Sequence, residues 1–270
     1  MIDVNSPVIE EFRASGGRVG GWFRDARLLL LTTTGARTGA RHTVPLGYLP
    51  DGDGRVLVIG SAGGASRDPG WVHNLRAHPQ ASVEAGAFTY DAEAVELVGA
   101  ERDAVFARAV ETDPGWAAYE QRSGRRLPVF ALVSVPGPPH GGSLADAVRG
   151  AHDAFRRELE LIRVEIATGG ATIGAQLRVN CLTLCAGLGN HHLGEDLMLF
   201  PPLADRYPEA EPLIERMRAD HERIAELVTG LREALDGEPA DLGAEVDRLT
   251  EELLRHLDDE EAWLLPLLEC

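Results

Sequence analysis

The stretch NHHLGEDLMLFPP, Asn190 to Pro202, decides how the second half of this chain folds. Two histidines and two acids sit in an otherwise apolar run that ends at two prolines. Residues i and i+4 of a helix stand about 6 Å apart on one face. His191 and Glu195 therefore share a face, and His192 and Asp196 lie one step round, nearer its edge. The flanking residues place His191 and Glu195 on the inward side, with Leu177, Cys181, Leu184, Leu188 and Met198 completing an apolar stripe at helical spacing.

The same test applied outward finds three more helices. A helix over 144–168 starts at a Ser143/Asp146 capping box and stops at Gly169-Gly170. Its stripe is Leu144, Val148, His152, Phe155, Leu159, Ile162 and Ile166. The quoted stretch belongs to a helix over 172–200, stopped by Pro201-Pro202. A third, over 209–236, carries Ile214, Met217, His221, Ile224, Val228, Leu231 and Leu235. A fourth, over 241–268, carries Val246, Leu249, Leu253, His256, Glu260, Leu264 and Leu267. Four amphipathic helices with short connections read as an up-down-up-down bundle.

Each stripe holds one histidine, and two hold a glutamate four residues later. A bare carboxylate in an apolar core costs several kcal/mol unless it has a strong partner. All 26 basic residues of the chain are arginine, and none falls on these stripes. A metal is the economical partner, with His152, His191, Glu195, His221, His256 and Glu260 as ligands. Imidazole with carboxylate suits iron, manganese or zinc. Six ligands are many for one zinc, which takes four; two irons bridged by the carboxylates fit better. His192 and Asp196 are read as groups orienting a ligand or as edge residues.

Before this region the texture changes. Val135-Pro-Gly-Pro-Pro-His-Gly-Gly-Ser143 continues neither a helix nor a central strand, so the expected domains are 1–135 and 144–270, with a linker over 136–143. The first domain reads as short strands, 28–33, 43–49, 55–60, 81–84, 88–97 and 129–135, interrupted by helices over 69–78, 101–112 and 114–122. That is a small barrel or a strongly curved sheet, and the whole chain is an α+β multi-domain protein.

Charge is divided unevenly between the halves. Residues 1–140 hold 14 arginines against 16 acids, and residues 141–270 hold 12 against 27. The acidic half repels nucleic acid and anionic lipid. No apolar run reaches the roughly 20 residues that cross a membrane, and the start has no secretory pattern; a cytoplasmic location is expected. Cys181, Cys185 and Cys270 have no framework spacing and read as reduced thiols, the first two as small buried residues.

Two glycine-rich, arginine-bearing turns mark the first domain: TTTGARTGARHTVPL (Thr32–Leu46) and GGASRDPGWVHNLRAHP (Gly63–Pro79). Backbone N–H groups, hydroxyls and arginines around such turns suit an anion. Together these segments, with about 17–135, resemble the deazaflavin-dependent nitroreductase family, split β-barrel proteins that bind coenzyme F420. The resemblance implies that Gly35, Arg37, Thr38, Gly39 and Arg41 hold the phosphate and acidic tail. Ser61, Gly63 and Gly64 would line the path to the ring, with Trp71, Asn74 and Arg76 supporting that wall. Trp116 and Tyr119, three apart on a helix, would stand over the ring with Ser61 as the catalytic surround of a quinone- or nitro-like acceptor. The family's Arg-Lys in the first turn is Ala36-Arg37 here, one cation fewer. FMN or haem is the alternative cofactor for a split barrel, and a homodimer is its implied assembly. His73 could donate a proton but reads as structural; His42 and His78 have no assigned role.

The second domain, about 144–268, resembles the hemerythrin-like HHE cation-binding domains through His152, HHLGED with the following LFP, His221 in RADHERI, and His256 with Glu260 in HLDDEE. This implies a di-iron site serving dioxygen or nitric oxide binding, redox chemistry, sensing or iron handling. Oxygen-carrying members have another histidine four residues before the third-helix ligand. Here it is Met217, which leaves one ligand short. An F420-dependent oxidoreductase fused to a di-iron domain is the resulting expectation; a sensor whose barrel only binds coenzyme is the alternative.

Overall fold

Leu28 to Leu31 is buried at every position, so this strand must meet apolar surface on both sides. A computed structural model of the chain describes residues 5–52, 54–86, 88–135, 143–169 and 172–268. In it, α1 (Ser6–Ala14) brings Phe12 against Leu28 and Leu30. Leu29 and Leu31, on the other face, join the barrel interior with Val58, Val83, Phe130 and Leu132. Alternation along an extended strand makes this division automatic.

The strands are β1 (Leu28–Thr34), β2 (Arg41–Pro50), β3 (Val56–Ile59), β4 (Gln80–Ala85), β5 (Phe88–Leu97) and β6 (Val129–Ser134). All pair antiparallel and close a barrel in the order β1-β2-β3-β6-β5-β4. Closure leaves no open edge to pair with another chain. Three helices interrupt the strands: α2 (Gly70–Ala77), α3 (Gly99–Thr112) and α4 (Gly115–Ser123). Trp71, Val72 and Leu75 of α2 join the barrel-interior cluster. Leu57, Ile59, Val129 and Ala131 point the other way and pack with Val105, Phe106 and Ala109 of α3.

The chain divides into two compact units, residues 1–141 with 174–179 and residues 142–173 with 180–270. Of the expected linker, residues 136–142 lie outside the described residues, as do Gly170 and Cys270. Ser143 caps α5 (Leu144–Thr168) with the expected box: its hydroxyl accepts from Asp146 N–H while the Asp146 carboxylate accepts from Ser143 N–H. The other helices are α6 (Ala175–Gly194), α7 (Phe200–Arg206), α8 (Glu211–Ala234), α9 (Pro239–Trp263) and the short α10 (Leu265–Leu268).

Inter-helix pairs run in opposite directions along each sequence. Arg156 meets Asp258, and Arg163 meets Asp247. Arg223 bonds Glu252, and Asp220 bonds Arg255. Asn180 bonds Glu165, while Phe155 lies beside His191. The bundle is therefore up-down-up-down.

Two expectations about the second bundle helix are corrected. It does not stop at Pro201-Pro202. A π turn over Glu195–Leu199 intervenes, closed by Phe200 N–H donating to Glu195 O, and α7 continues with both prolines in its first turn. A first-turn proline lacks only an N–H that has no intrahelical partner. The π turn also inserts one residue into the helical phase. The inward position after Glu195 becomes Leu199, and Met198, assigned to the stripe, is 77% exposed. Leu144 is likewise exposed, because it lies at the first position of α5.

Candidate functional site

In the barrel, the β1–β2 hairpin turn is held by Gly35 N–H donating to Ala40 O at 2.7 Å and Gly39 N–H to Gly35 O at 2.9 Å. A Cβ on Gly35 would lie 2.6 Å from Thr38 Oγ1, and Gly39 has φ +67°. A side chain at position 35 would displace Thr38, and one at position 39 would be strained by the left-handed backbone. Asn74 of α2 pins the turn: it accepts from Ala36 N–H and donates to Thr33 Oγ1, both at 3.0 Å. Arg37, Thr38 and Arg41 are exposed on the turn. Trp71 is buried edge-on against Phe130, with ring centres 5.7 Å apart. Arg76 faces acids instead, bonding Glu96 and Asp68, and the Glu96 hydrogen bond raises its pKa further.

The second turn is strained and stapled. Ala62, Gly63 and Gly64 have φ of 47°, 61° and 82°, and a left-handed alanine costs about 1–2 kcal/mol. Arg125 restrains the segment, donating to Gly60 O (2.8 Å), Ser61 O (3.1 Å) and Ala65 O (3.1 Å) and pairing with Asp68 at 2.6 Å. Arg122 donates to Gly63 O, and a Cβ on Gly64 would strike its guanidinium. Trp116 and Tyr119 of α4 meet edge to face at 6.1 Å, and Arg122 lies over Tyr119 at 5.1 Å. Ser61, Trp116 and Tyr119 are half-buried, whereas His42, His73 and His78 are exposed.

In the bundle, two groups of ligand atoms converge. His192, His221 and His256 form one; His152, His191, Glu195 and Glu260 form the other, with ligand atoms within 4.8 Å of one another in each. The carboxylates lie between them. Glu195 Oε1 is 3.1 Å from His191 Nε2, and its Oε2 is 3.5 Å from His221 Nε2. Glu260 Oε2 is 3.3 Å from His152 Nε2 and 3.6 Å from His256 Nε2. None of these approaches has hydrogen-bond geometry: all five Nε2 atoms and all four carboxylate oxygens are buried without a partner. Buried polar atoms are ordinarily paired. So many orphans pointing at one another are what a pair of cations would satisfy, and the donor set of imidazoles and carboxylates suits such ions.

The outer edges of the rings are fixed by carboxylates. His152 Nδ1 meets Glu261 at 2.9 Å, and Arg156 bonds that same carboxylate at 2.6 Å. His221 Nδ1 meets Asp196 at 3.0 Å. His256 Nδ1 faces Asp220 at 3.8 Å, and Arg255 bonds Asp220. Burial alone would raise the Asp220 pKa, but Arg255 outweighs it and holds the carboxyl below its usual value. A carboxylate behind Nδ1 selects the tautomer whose Nε2 lone pair points inward. His221 is also clamped between stacked rings, His192 at 4.2 Å and Phe200 at 5.5 Å.

Protonation follows from burial. Burial, then the neighbouring imidazoles, lowers His192 to about 2. Burial lowers His191 and His256 to about 4. These rings are neutral near pH 7, as ligation requires. Burial and the Glu260 charge push Glu195 up to about 10. Burial also opposes ionisation of Glu260, but the close approach of the His152 ring, with the His256 ring beyond it, prevails and lowers its pKa.

Residues 7–134 match the family F420H(2)-dependent quinone reductase, and residues 143–268 match the hemerythrin HHE cation binding domain. Over 139 residues the chain is 34% identical to the F420H(2)-dependent quinone reductase Rv1261c of Mycobacterium tuberculosis (strain ATCC 25618 / H37Rv), spanning 45% of this chain and 84% of that protein. The chain belongs to the F420H(2)-dependent quinone reductase family. Its second half is a hemerythrin HHE domain. A solved structure of an F420-H2 dependent reductase (FDR-A) is 36% identical, covers 39% of this chain and 93% of that one, and has a TM-score of 0.36.

Within this reductase–hemerythrin chain, the sequence reading misplaced one group. His192 is not an edge residue: it is 6% exposed and belongs to the three-histidine group. Met217 packs in an apolar cluster with Phe200 and Leu264, and the fifth histidine of the cluster comes from α6 instead. Periodicity could not show this, since Arg178 is the only charge in residues 175–194 and no polar face marks the outward side. A helix apolar all round is buried on more than one side. Arg122, Arg125, Asp220 and Glu261 were also missed. Their roles depend on contacts 35 to 109 residues apart or on the 60s loop.

Proposed function

We propose that the barrel binds reduced coenzyme F420 and passes its hydride to a quinone-class acceptor, and that the bundle holds two iron ions. The observation that carries the second statement is the set of buried, unpartnered ligand atoms on five histidines and two glutamates. His152 and His191 would serve one ion, and His192, His221 and His256 the other, with Glu195 and Glu260 between them. The metal pair supplies one-electron chemistry and coordination of small ligands. Glu261 and Asp196 position the His152 and His221 rings, and Phe200 with His192 keeps the His221 ring from turning.

For the barrel, family membership supports the coenzyme. When bound, F420 supplies the hydride. Arg37 and Arg41 neutralise its anionic tail, and the backbone at Gly35, Thr38 and Gly39 lets that tail come close. Asn74 and Trp71 keep the turn and its wall in register. Arg76, held by two acids, acts on the wall and not on the coenzyme. The Ser61–Gly64 loop takes the ring, and Trp116 and Tyr119 flank the acceptor.

One preparation tests both halves. Full-length protein grown with added iron should contain two irons per chain by elemental analysis, matching the two ligand groups. It should also oxidise reduced F420 with menadione. Metal-free protein after iron supplementation would refute the first half. Binding of F420 without turnover across quinones and nitro compounds would make the barrel a coenzyme-binding module.

A further inference from the structure

The outward face of α6 carries no charge. From Val179 to Gly194 there is no Arg, Asp or Glu. Yet Leu182, Ala186, Gly189 and Leu193 lie exposed on one side of the helix, and the space over Gly189 is open. A surface helix ordinarily turns charged residues to water, and a contiguous exposed apolar patch marks a contact with another molecule.

Two features say what covers it. The first is symmetry. Leu182-x-x-x-Ala186-x-x-Gly189-x-x-x-Leu193 has the same spacing from either end, centred between Gly187 and Leu188. Helix α8 repeats the pattern alongside. Glu222, Ala225, Thr229 and Arg232 are all exposed and are spaced evenly about Leu227. They line one groove of about 390 Å³ with Gly189 and Leu193. The two helices run antiparallel with His192 stacked on His221. At about 1.5 Å of rise per residue the two centres therefore stand at the same height to within about 2 Å.

The second feature is charge. Glu222 and Arg232 sit at equal distances on either side of the α8 centre, with opposite sign. Neither has an ion-pair partner among the described residues, whereas Arg223 and Arg255 do. A two-fold axis lying across both helices at their centres sets Glu222 opposite the partner's Arg232 and Arg232 opposite the partner's Glu222. A contact between identical subunits about such an axis must be self-complementary, and both patterns are. Two copies of so acidic a domain repel, so they meet where acids are absent or matched.

We propose that the exposed face of α6, with the edge of α8 beside it, is a two-fold contact between two copies of this chain. Helix α6 packs antiparallel on the same helix of the second copy, Leu182 against the partner's Leu193. Ala186 and Gly189 lie at the axis, where small residues let the helices come close. The contact rests on neither coenzyme nor metal. The dimer implied by the barrel's family would use another surface, and the variants below tell the two apart.

Sedimentation equilibrium of the full-length chain tests it. A reversible dimer is expected. Ala186→Glu, at an exposed site on a helix, sets like charges against each other at the axis and should weaken association a hundredfold or more. Glu222→Arg and Arg232→Glu each replace two attractive pairs by two repulsive ones, and each should weaken it about tenfold. The double variant Glu222→Arg/Arg232→Glu keeps the parent's net charge and should restore it. A single-chain mass up to millimolar concentration overturns the proposal. So does a dimer that Ala186→Glu leaves intact, since its contact then lies elsewhere. Failure of the double variant to recover what the single reversals lose overturns the two-fold pairing.

Discussion

The barrel turn and the bundle interior meet the same demand, holding a charged group, in opposite ways. The turn from Gly35 to Arg41 is exposed and made of backbone, and its cations stand in water. The bundle cluster is buried and made of side chains, and its ligand atoms are left without partners. Exposed charge costs the fold little and is screened by salt. Buried, unpaired charge costs several kcal/mol and depends on what binds it. The barrel site should thus be separable from stability, and the bundle site should not.

The largest effect that follows is metal-linked stability. An ion at a thousandfold excess over its dissociation constant stabilises by about 4.1 kcal/mol. Iron should raise the bundle's unfolding transition in calorimetry and leave the barrel's transition in place. Equal shifts of both would break the contrast. In metal-free protein, Glu195→Leu removes a buried carboxyl with no partner, and should raise stability while abolishing iron uptake.

Next in size is the loop staple. Arg125→Ala leaves Gly60 O, Ser61 O and Ala65 O without their donor, and hydrogen bonds to charged groups are worth about 1.5–3 kcal/mol. The barrel's urea midpoint should fall, and the KM for the acceptor should rise, since the 60s loop is no longer held. An unchanged midpoint would mean that the left-handed segment needs no support.

The pH dependence of the metal-free bundle has a definite sign. His191, His192 and His256 fall from 6.5 to about 4, 2 and 4. The unfolded chain binds more protons below pH 6.5, so their contribution is lost as pH falls through that window. Glu260, lowered from 4.5, adds to the loss on the acid side. Glu195, raised from 4.5 to about 10, acts oppositely. Its contribution is full below 4.5 and lost as pH rises. Three histidines outweigh one glutamate below 6.5, and Glu195 leads above it, with the Cys185 thiol, raised by burial, adding to the decline above pH 9. Denaturation midpoints should peak near pH 6.5, with each group contributing up to about 1.36 kcal/mol per unit. Iron should remove the alkaline decline, because Glu195 then ionises against a cation. A monotonic profile would count against the cluster's protonation pattern.

The smallest stability effect belongs to the turn. Arg37→Ala and Arg41→Ala should each leave stability within about 0.5 kcal/mol while weakening F420 binding and flattening its salt dependence. Loss of stability without loss of affinity would reverse the assignment.

Much of this was legible in local pattern. The strands 28–33 and 88–97 were found because β-favouring runs end at glycine turns, and α5 because Ser143 and Asp146 form a cap that requires only neighbouring residues. His152, His221 and His256 were found because an amphipathic helix has one inward side. His192 was not, because α6 is apolar around its circumference and one helix alone does not say which neighbours flank it. The π turn was hidden for a related reason: two prolines look like a stop until the preceding turn widens to admit them.

Sequence by itself determined the six strands, the four long bundle helices and the inward side of four imidazoles, because each of these is set by spacing along one segment. Tertiary structure alone decided that His192 faces inward and that Glu261, Asp196 and Asp220 stand behind the rings. It also decided that Arg122 and Arg125 hold the 60s loop. These are meetings between segments far apart in the chain, and burial there depends on which surfaces pack against each other.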